Sequence, residues 1–290
     1  MIVMNETRVD FKRMLVRLPQ NAGDYAAVGV MAQLADLMGA SVVATFVQDA
    51  ELVEMAALPC VRELRPFGGG WHPIEGPELL RQLELAAATA RRLFHDTVRP
   101  TRIKTSFNVA RGPLADVIGA SPAADDIVVI IEPRNPAERV TQQFTRLVDA
   151  AFGASFAVMV VPSRIARTTG PIAAVMSGPD DPSIRHALAI AAAAKEQVIV
   201  LGPAKLNADV SISELARTAG VRVEFGPAMQ EPLDLSWLPR HLAHLNERLL
   251  VMTRAAVIDR GASMIASLCR VPVLLTGPAG LSSPESGQRP

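Results

Sequence analysis

The sequence runs through one order of predicted elements twice within its 290 residues. Each half opens with an apolar strand, a helix and a second apolar strand, over 14–47 (MLVRLP to SVVATFV) and 172–203 (IAAVMSG to QVIVLGP). Each half closes with an acidic-then-apolar strand, a helix and a last strand, over 125–163 and 247–278. A tandem repeat of this size has to bury a similar core twice, so it predicts two similar α/β units.

Strand–helix–strand openings imply parallel sheets with right-handed crossovers. The sequence therefore predicts two tandem doubly wound parallel five-stranded sheets with helices on both faces. The predicted strands are 13–18, 41–47, 102–109, 125–133 and 155–161, then 171–176, 197–201, 221–225, 248–253 and 271–276. The predicted helices are 21–39, 77–97, 113–121, 137–151, 181–195, 211–219, 236–246 and 261–269.

One stretch of the first half breaks the repeat. Residues 50–75 contain several prolines and the run Gly68–Gly70, which predicts an irregular excursion with a short helix near 52–58. The polar stretch 163–170 predicts the boundary between a first domain at 1–165 and a second at 166–280. Residues 281–290 are rich in Gly, Ser and Pro, which predicts a disordered tail.

Composition excludes several classes of protein. The formal net charge is zero, without the basic excess by which nucleic-acid binders follow phosphates. No apolar run approaches the roughly 20 residues that a membrane span needs. The N-terminus is charged where a signal peptide is apolar, and Cys60 and Cys269 are too isolated for a disulfide framework. The sequence therefore predicts a protein without a membrane span or a nucleic-acid partner, either cytoplasmic or held at a membrane only through a partner.

Three features carry a resemblance to a known family. A helix follows the first strand of each half directly, and the fourth strands begin with acidic residues at 125–130 (DDIVVI) and 247–252 (ERLLVM). The third feature is the closing segment at 269–275 (CRVPVLL). The pattern resembles the universal stress protein family in its tandem two-domain form. The resemblance implies a Rossmann-like fold and a stress-response or regulatory role, with the last strands, 155–161 and 271–276, side by side on a pseudo-twofold axis. It also implies a homodimer.

Two motifs of the ATP-binding members of that family are missing. Those members carry an aspartate at the end of the first strand and glycines after the fourth, which let backbone N–H groups approach phosphates. Here the first strands end in Leu18–Pro19 and Met176–Gly178, and Pro133–Pro136 and Thr253–Ala256 follow the fourth strands. We therefore predict no resident cofactor, with ATP or AMP as the alternative ligands.

Two groups of residues are candidate ligand contacts in the second half. Ser177, Gly178 and Asp180 follow the first strand, where they either contact a ribose or base or form a turn and helix cap around Asp181. The second group forms either a small anion site at a helix N-terminus or a solvated loop. Its members are Thr253, Arg254, Arg260, Gly261 and Ser263.

Catalytic and metal-binding motifs are missing from the sequence. It contains no Gly-x-Ser-x-Gly, Walker-type or His-Glu-x-x-His motif, and His241 and His244 lack further ligands nearby. The leading hypothesis is therefore a non-catalytic protein that acts through protein or small-ligand binding. One alternative is an adenine-nucleotide sensor with a non-standard second-half pocket around Arg254 and Arg260. The other is a nucleotide hydrolase of related fold.

Overall fold

The computed structural model describes most of the chain. The described residues are 11–48, 50–56, 58, 60–65, 70–112, 123, 125–154, 157–178, 180–229, 238–242, 244–256 and 261–277. The helix predicted at 113–121, the candidate Arg260 and the tail at 281–290 lie outside them.

Ten of the strands form one sheet with the order β10-β9-β8-β11-β12-β7-β6-β1-β2-β5. The strands are β1 (Arg13–Arg17), β2 (Ser41–Gln48), β3 (Arg62–Arg65), β4 (Gly70–Pro73), β5 (Thr105–Arg111), β6 (Asp126–Ile131), β7 (Ala157–Val161), β8 (Ile172–Val175), β9 (Val198–Leu201), β10 (Val223–Phe225), β11 (Leu249–Thr253) and β12 (Val273–Thr276). All ten predicted strands are confirmed.

The two predicted five-stranded sheets are joined edge to edge. Within each half the strands pair in parallel, whereas β7 and β12 pair antiparallel, with Met159 opposite Leu274. This confirms that the last strands of the halves lie side by side. An antiparallel pair at the junction is what a twofold relation between two like halves requires.

The helices cover both faces of this sheet. They are α1 (Tyr25–Met38), α2 (Ala50–Ala56), α3 (Gly76–Val98), α4 (Pro136–Arg139), α5 (Gln142–Ala154), α6 (Ser183–Ala194), α7 (Val210–Ala219), α8 (Leu238–Leu242) and α9 (Gly261–Cys269). Short 3-10 helices lie at Ala22–Asp24, Ala204–Ala208 and Arg254–Ala256. The helix predicted at 236–246 ends earlier than expected, at Leu242.

Burial follows from this arrangement. Strands β6, β7, β11 and β12 are buried along their whole length, because helices cover the central strands on both sides. On one face, α1 of the first half packs against α6 of the second. On the other face, α5 and α9 share a second core. Each face therefore holds a pair of equivalent helices, one from each half.

The stretch at 50–75 is more ordered than its sequence predicts. It contains α2, as predicted, but also an antiparallel hairpin of β3 and β4 in which Leu64 lies opposite Trp71. The prediction of an irregular excursion is wrong for this hairpin. Pro73 is tolerated because it lies at the last position of β4, and Gly70 takes the positive φ of 63°.

Within the described residues, no helix is long and apolar enough to cross a lipid bilayer.

Candidate functional site

In an open parallel sheet, ligands are expected at the carboxyl ends of the strands where the strand order reverses. The reversal falls between β1 and β6 in the first half and between β8 and β11 in the second. The registers Val16–Val129 and Val175–Met252 bring the segments after these strands together. The sheet therefore has two comparable edges, one in each half, at which a ligand site is expected.

The edge of the first half holds a cavity of about 200 Å³, which we call the first-half cavity. Its wall combines apolar side chains from the sheet and α5 with polar side chains from the start of α1 and from α4. The lining residues are Arg17, Leu18, Pro19, Gln20, Asn21, Asp24, Val129, Ile131, Pro133, Glu138, Thr141, Gln143, Phe144 and Leu147.

Asp24 is the buried carboxyl group of this cavity, with only 3% of its surface exposed. Its Oδ1 accepts a hydrogen bond from the backbone N of Arg134 at 3.1 Å. Its Oδ2 accepts none from the part of the chain that the structure describes. Burial raises the pKa of Asp24, although the bond from Arg134 opposes that change. Asp24 therefore offers the cavity an oxygen that is ready to accept a hydrogen bond.

The segment after β6 is poorly suited to phosphate. Pro133 and Pro136 lack backbone N–H groups, and the side chain of Asn135 accepts from Ala137 N at 3.1 Å to cap α4. Glu138 adds a second carboxyl group to the wall, where it accepts from the Asn21 amide at 3.3 Å. A phosphate in this cavity would meet two acidic side chains, Asp24 and Glu138, beside the basic side chain of Arg17.

At the equivalent edge of the second half, the buried carboxylate is Asp181, which is 6% exposed. Its Oδ2 accepts from the backbone N and the Oγ of Ser177, at 2.9 and 3.0 Å. Its Oδ1 accepts from the backbone N of Ser183 at 3.0 Å and from the Ser183 hydroxyl. The segment containing Ser177, Gly178 and Asp180 thus has the geometry of a turn and helix cap, and ligand binding there stays a prediction.

Arg254, the principal candidate for anion binding, reaches into the other half of the molecule. It is 6% exposed, its Nη2 donates to the carbonyl oxygen of Phe152 in α5, and its guanidinium lies 5.5 Å from the Phe152 ring centroid. Burial lowers the pKa of Arg254. Thr253, just before it, is also buried.

Glu132, the residue after β6, makes the reciprocal contact, and sequence reasoning missed it. It is 1% exposed and accepts hydrogen bonds from two hydroxyl groups of α9, those of Ser263 and Ser267. The Nη1 atom of Arg139 lies 3.9 Å from Glu132 Oε2 and donates a hydrogen bond to Ser267 Oγ at 2.9 Å. Gly261 begins the same helix α9. We call Glu132, Arg139, Arg254, Ser263 and Ser267 the inter-half clasp.

In the inter-half clasp, the residue that directly follows the fourth strand of each half contacts the other half. Glu132 follows β6 and Arg254 follows β11, so the two hold equivalent positions. Each reaches the helix before the last strand of the other half. A charged residue at the end of an apolar strand was the available sequence signal for Glu132, but its partner is 131 residues away at Ser263.

The described residues offer neither a metal-binding cluster nor a partly buried cysteine suited to act as a nucleophile. Those residues contain no group of three or more His, Cys, Asp or Glu side chains that could hold a metal ion. Cys60 is exposed, and burial raises the pKa of the Cys269 thiol to about 12, with the nearby Glu247 adding to the shift. Cys269 is therefore protonated at neutral pH and a poor nucleophile.

The sequence matches no protein-family model and no curated protein. The similarity to known proteins therefore comes from comparing structures. A universal stress protein from Archaeoglobus fulgidus superimposes with a TM-score of 0.62 at 11% identity, covering 96% of this chain and 100% of the other. The chain has the universal stress protein fold. A functionally unknown protein from Pseudomonas aeruginosa is also similar, with a TM-score of 0.50 at 19% identity over 95% of both chains. The universal stress protein fold thus extends over both halves, which confirms the resemblance at the level of fold.

Proposed function

We propose that the protein is a non-catalytic stress-response regulator of the universal stress type, which binds a small ligand in the first-half cavity. The observation that carries the proposal is the oxygen Oδ2 of Asp24. It lines a cavity at the expected edge of the sheet, and no described residue donates a hydrogen bond to it. A carboxyl oxygen that lines a cavity at this edge of the sheet, with no donor from the described residues, favours a ligand that donates a hydrogen bond.

The size and charge of the first-half cavity restrict the kind of ligand that it can bind. The cavity of about 200 Å³ is smaller than the roughly 300–1,000 Å³ that is usual for sites of drug-sized ligands. Asp24 and Glu138 both present carboxyl oxygens, which accept hydrogen bonds and repel anions. These properties favour a compact ligand with amine or hydroxyl donors over a nucleoside triphosphate.

The lining also favours binding over catalysis. It contains no His, Cys, Ser or Lys, the residue types that most often act as nucleophiles or as bases near neutral pH. The carboxyl groups of Asp24 and Glu138 are the remaining candidate bases, and each already accepts a hydrogen bond, from Arg134 N and from the Asn21 amide. This supports a role in sensing rather than turnover.

Native mass spectrometry tests the proposal, with putrescine, adenosine and ATP added separately to the purified protein. We expect putrescine or adenosine to bind at near one per chain. Asp24→Asn should lose that binding because the amide no longer offers two acceptors. Asp180→Asn, which changes an exposed aspartate at the equivalent edge of the second half, is the matched control and should retain it.

Three other outcomes reject the proposal. Binding of neither putrescine nor adenosine would remove the small-ligand role. ATP binding that survives Asp24→Asn but is lost in Arg254→Ala would favour the second-half nucleotide sensor instead. Hydrolysis of ATP by protein free of contaminants would favour the hydrolase.

The proposal also includes a cytoplasmic homodimer. Light scattering over a wide range of concentrations tests the dimer, and a mass of one chain throughout would remove that part.

A further inference from the structure

A second cavity, of about 420 Å³, lies between the equivalent helices α1 and α6. We call it the inter-helix cavity. Its lining residues are Phe11, Asp36, Leu37, Met38, Gly39, His186, Ala189, Ile190, Ala192, Ala193 and Ala219. It lies at the C-terminal end of α1, whereas the first-half cavity lies at the N-terminal end of that helix. The two sites are therefore separate.

The inter-helix cavity has the features of a small-molecule site. Its volume falls within the roughly 300–1,000 Å³ typical of such sites. Most of its wall is apolar and comes from both halves, with Leu37 and Met38 on α1 facing Ala189 and Ile190 on α6. Alanines leave the space open, because longer side chains at those positions of α6 would fill it.

His186 is the buried polar group of this wall. It is 9% exposed, and its ring stacks on Phe11 with centroids 5.1 Å apart and an interplanar angle of 24°. Its Nδ1 lies 2.9 Å from the carbonyl oxygen of Pro182. A carbonyl oxygen only accepts hydrogen bonds, so this contact assigns the proton to Nδ1 and leaves Nε2 as an acceptor.

Nε2 has no hydrogen-bond partner among the residues that the structure describes. Burial lowers the pKa of His186, while the Pro182 carbonyl and the charge of Asp181 oppose that change. The ring is therefore neutral at neutral pH. Beside Asp36, whose side chain is exposed, the lining thus offers a neutral imidazole acceptor whose tautomer is already set by the start of α6.

We propose that the inter-helix cavity binds a small apolar molecule with one hydroxyl group, a phenol or a hydrophobic alcohol, whose O–H donates to His186 Nε2. The apolar body of the ligand is buried between α1 and α6, and the hydroxyl fixes its orientation. Because these helices belong to different halves, the ligand bridges the two halves. The proposal does not depend on the first-half cavity having a ligand.

Isothermal titration calorimetry with a matched pair of compounds tests this site. 1-Naphthol carries the required hydroxyl group, and 1-methoxynaphthalene has the same rings without a donor. A hydrogen bond to a buried acceptor contributes about 1.4 kcal/mol, so 1-naphthol should bind about tenfold more tightly. His186→Phe keeps an aromatic ring against Phe11 but removes the acceptor, and should abolish that tenfold preference.

A second variant locates the binding site. Ala189→Phe fills the cavity and should weaken both compounds by at least about tenfold, since their buried rings lose the space they occupy. Ala86→Phe, which makes the same change at an exposed position of α3, should leave both affinities unchanged.

Nuclear magnetic resonance of the unaltered protein provides a test that does not depend on a variant folding. The ¹⁵N resonance of His186 Nε2 should shift when 1-naphthol is added and stay in place with 1-methoxynaphthalene. The proposal is overturned if 1-naphthol shows no saturable binding. Equal affinity for the two compounds, or an unchanged affinity in Ala189→Phe, would also overturn it.

Discussion

The two halves place an aspartate at the same point, the start of the helix that follows the first strand, yet the carboxylates differ. Asp181 accepts hydrogen bonds from Ser177 and Ser183, four positions before it and two after it. The same offsets from Asp24 are occupied by Gln20 and Ala26. The second-half carboxylate is therefore satisfied by its own loop, whereas Asp24 keeps an oxygen for the first-half cavity.

The inter-half clasp shows a second contrast, between equivalent positions of opposite charge. Glu132 and Arg254 each cross to the other half, and Glu132 does so in a polar group with serine hydroxyls and Arg139. Arg254 rests on a carbonyl oxygen and an aromatic ring. The halves thus share a fold but hold together through chemically different contacts.

Glu132→Ala should have the largest effect on stability. It leaves Arg139 and two serines without the buried carboxylate, which should lower the free energy of unfolding by about 4 kcal/mol. Arg254→Met keeps an apolar stem against the Phe152 ring but loses the charge-assisted hydrogen bond to the Phe152 carbonyl oxygen, which should cost less, about 2 kcal/mol. Urea-induced unfolding measures both, and equal losses would contradict the contrast between the two arms of the clasp.

The acidic residues before the fourth strands predict opposite responses to pH. Burial raises the pKa of Glu247 from 4.5 to about 7, whereas Lys12, 2.5 Å away, lowers the pKa of the more exposed Asp125. Because folded Glu247 holds its proton more tightly than the unfolded chain does, its contribution to stability is present below pH 4.5 and lost as the pH rises through about 7.

Glu247→Gln should therefore stabilise the protein at pH 8, relative to its parent, by something on the order of 3 kcal/mol. The gain should vanish near pH 4. Asp125→Asn is the matched variant and should give no gain at pH 8, since it removes an ion pair that stabilises the ionised carboxylate. Unfolding midpoints measured from pH 4 to pH 8 test both, and a gain for Glu247→Gln that does not change with pH would be inconsistent with the raised pKa.

The two helix-start aspartates should differ in what they contribute to stability. Asp181→Ala removes four hydrogen bonds and a helix cap, which should cost about 2 kcal/mol. Asp24→Ala removes a buried carboxyl with a raised pKa and should cost close to nothing. Thermal unfolding compares them, and a larger loss for Asp24→Ala would assign Asp24 a structural role instead of a binding one.

The smallest predicted effect concerns the ends of the same helices. Gly39 follows α1 with φ of 67°, whereas Lys195 takes the equivalent left-handed position after α6 with φ of 57°. Lys195→Gly relieves that backbone conformation and should raise the free energy of unfolding by about 0.5 kcal/mol. Gly39→Ala should lower it by about 1 kcal/mol. Chemical denaturation distinguishes the signs, and two changes of the same sign would contradict the equivalence.

Much of the fold was predictable from short-range patterns. Uninterrupted apolar runs such as 126–131 indicated buried strands, and Asp181 indicated the start of a helix, because both signals depend on neighbours within a few residues. The β3–β4 hairpin was missed because its glycines and prolines were interpreted as breaks, although Leu64 and Trp71 pair across it.

The candidate sites depended on contacts that local sequence does not encode. The sequence by itself determined the two similar halves and their parallel strands. It also determined that the segment after each fourth strand lacks the glycines that bind phosphate. Tertiary structure decided which groups the charged residues near those strands contact, because the partners are far apart in the chain. Asp24 and Arg134 are separated by 110 positions, Arg254 and Phe152 by 102. Helix and strand propensities act over a few residues, so only the joining of the two halves could bring these groups together.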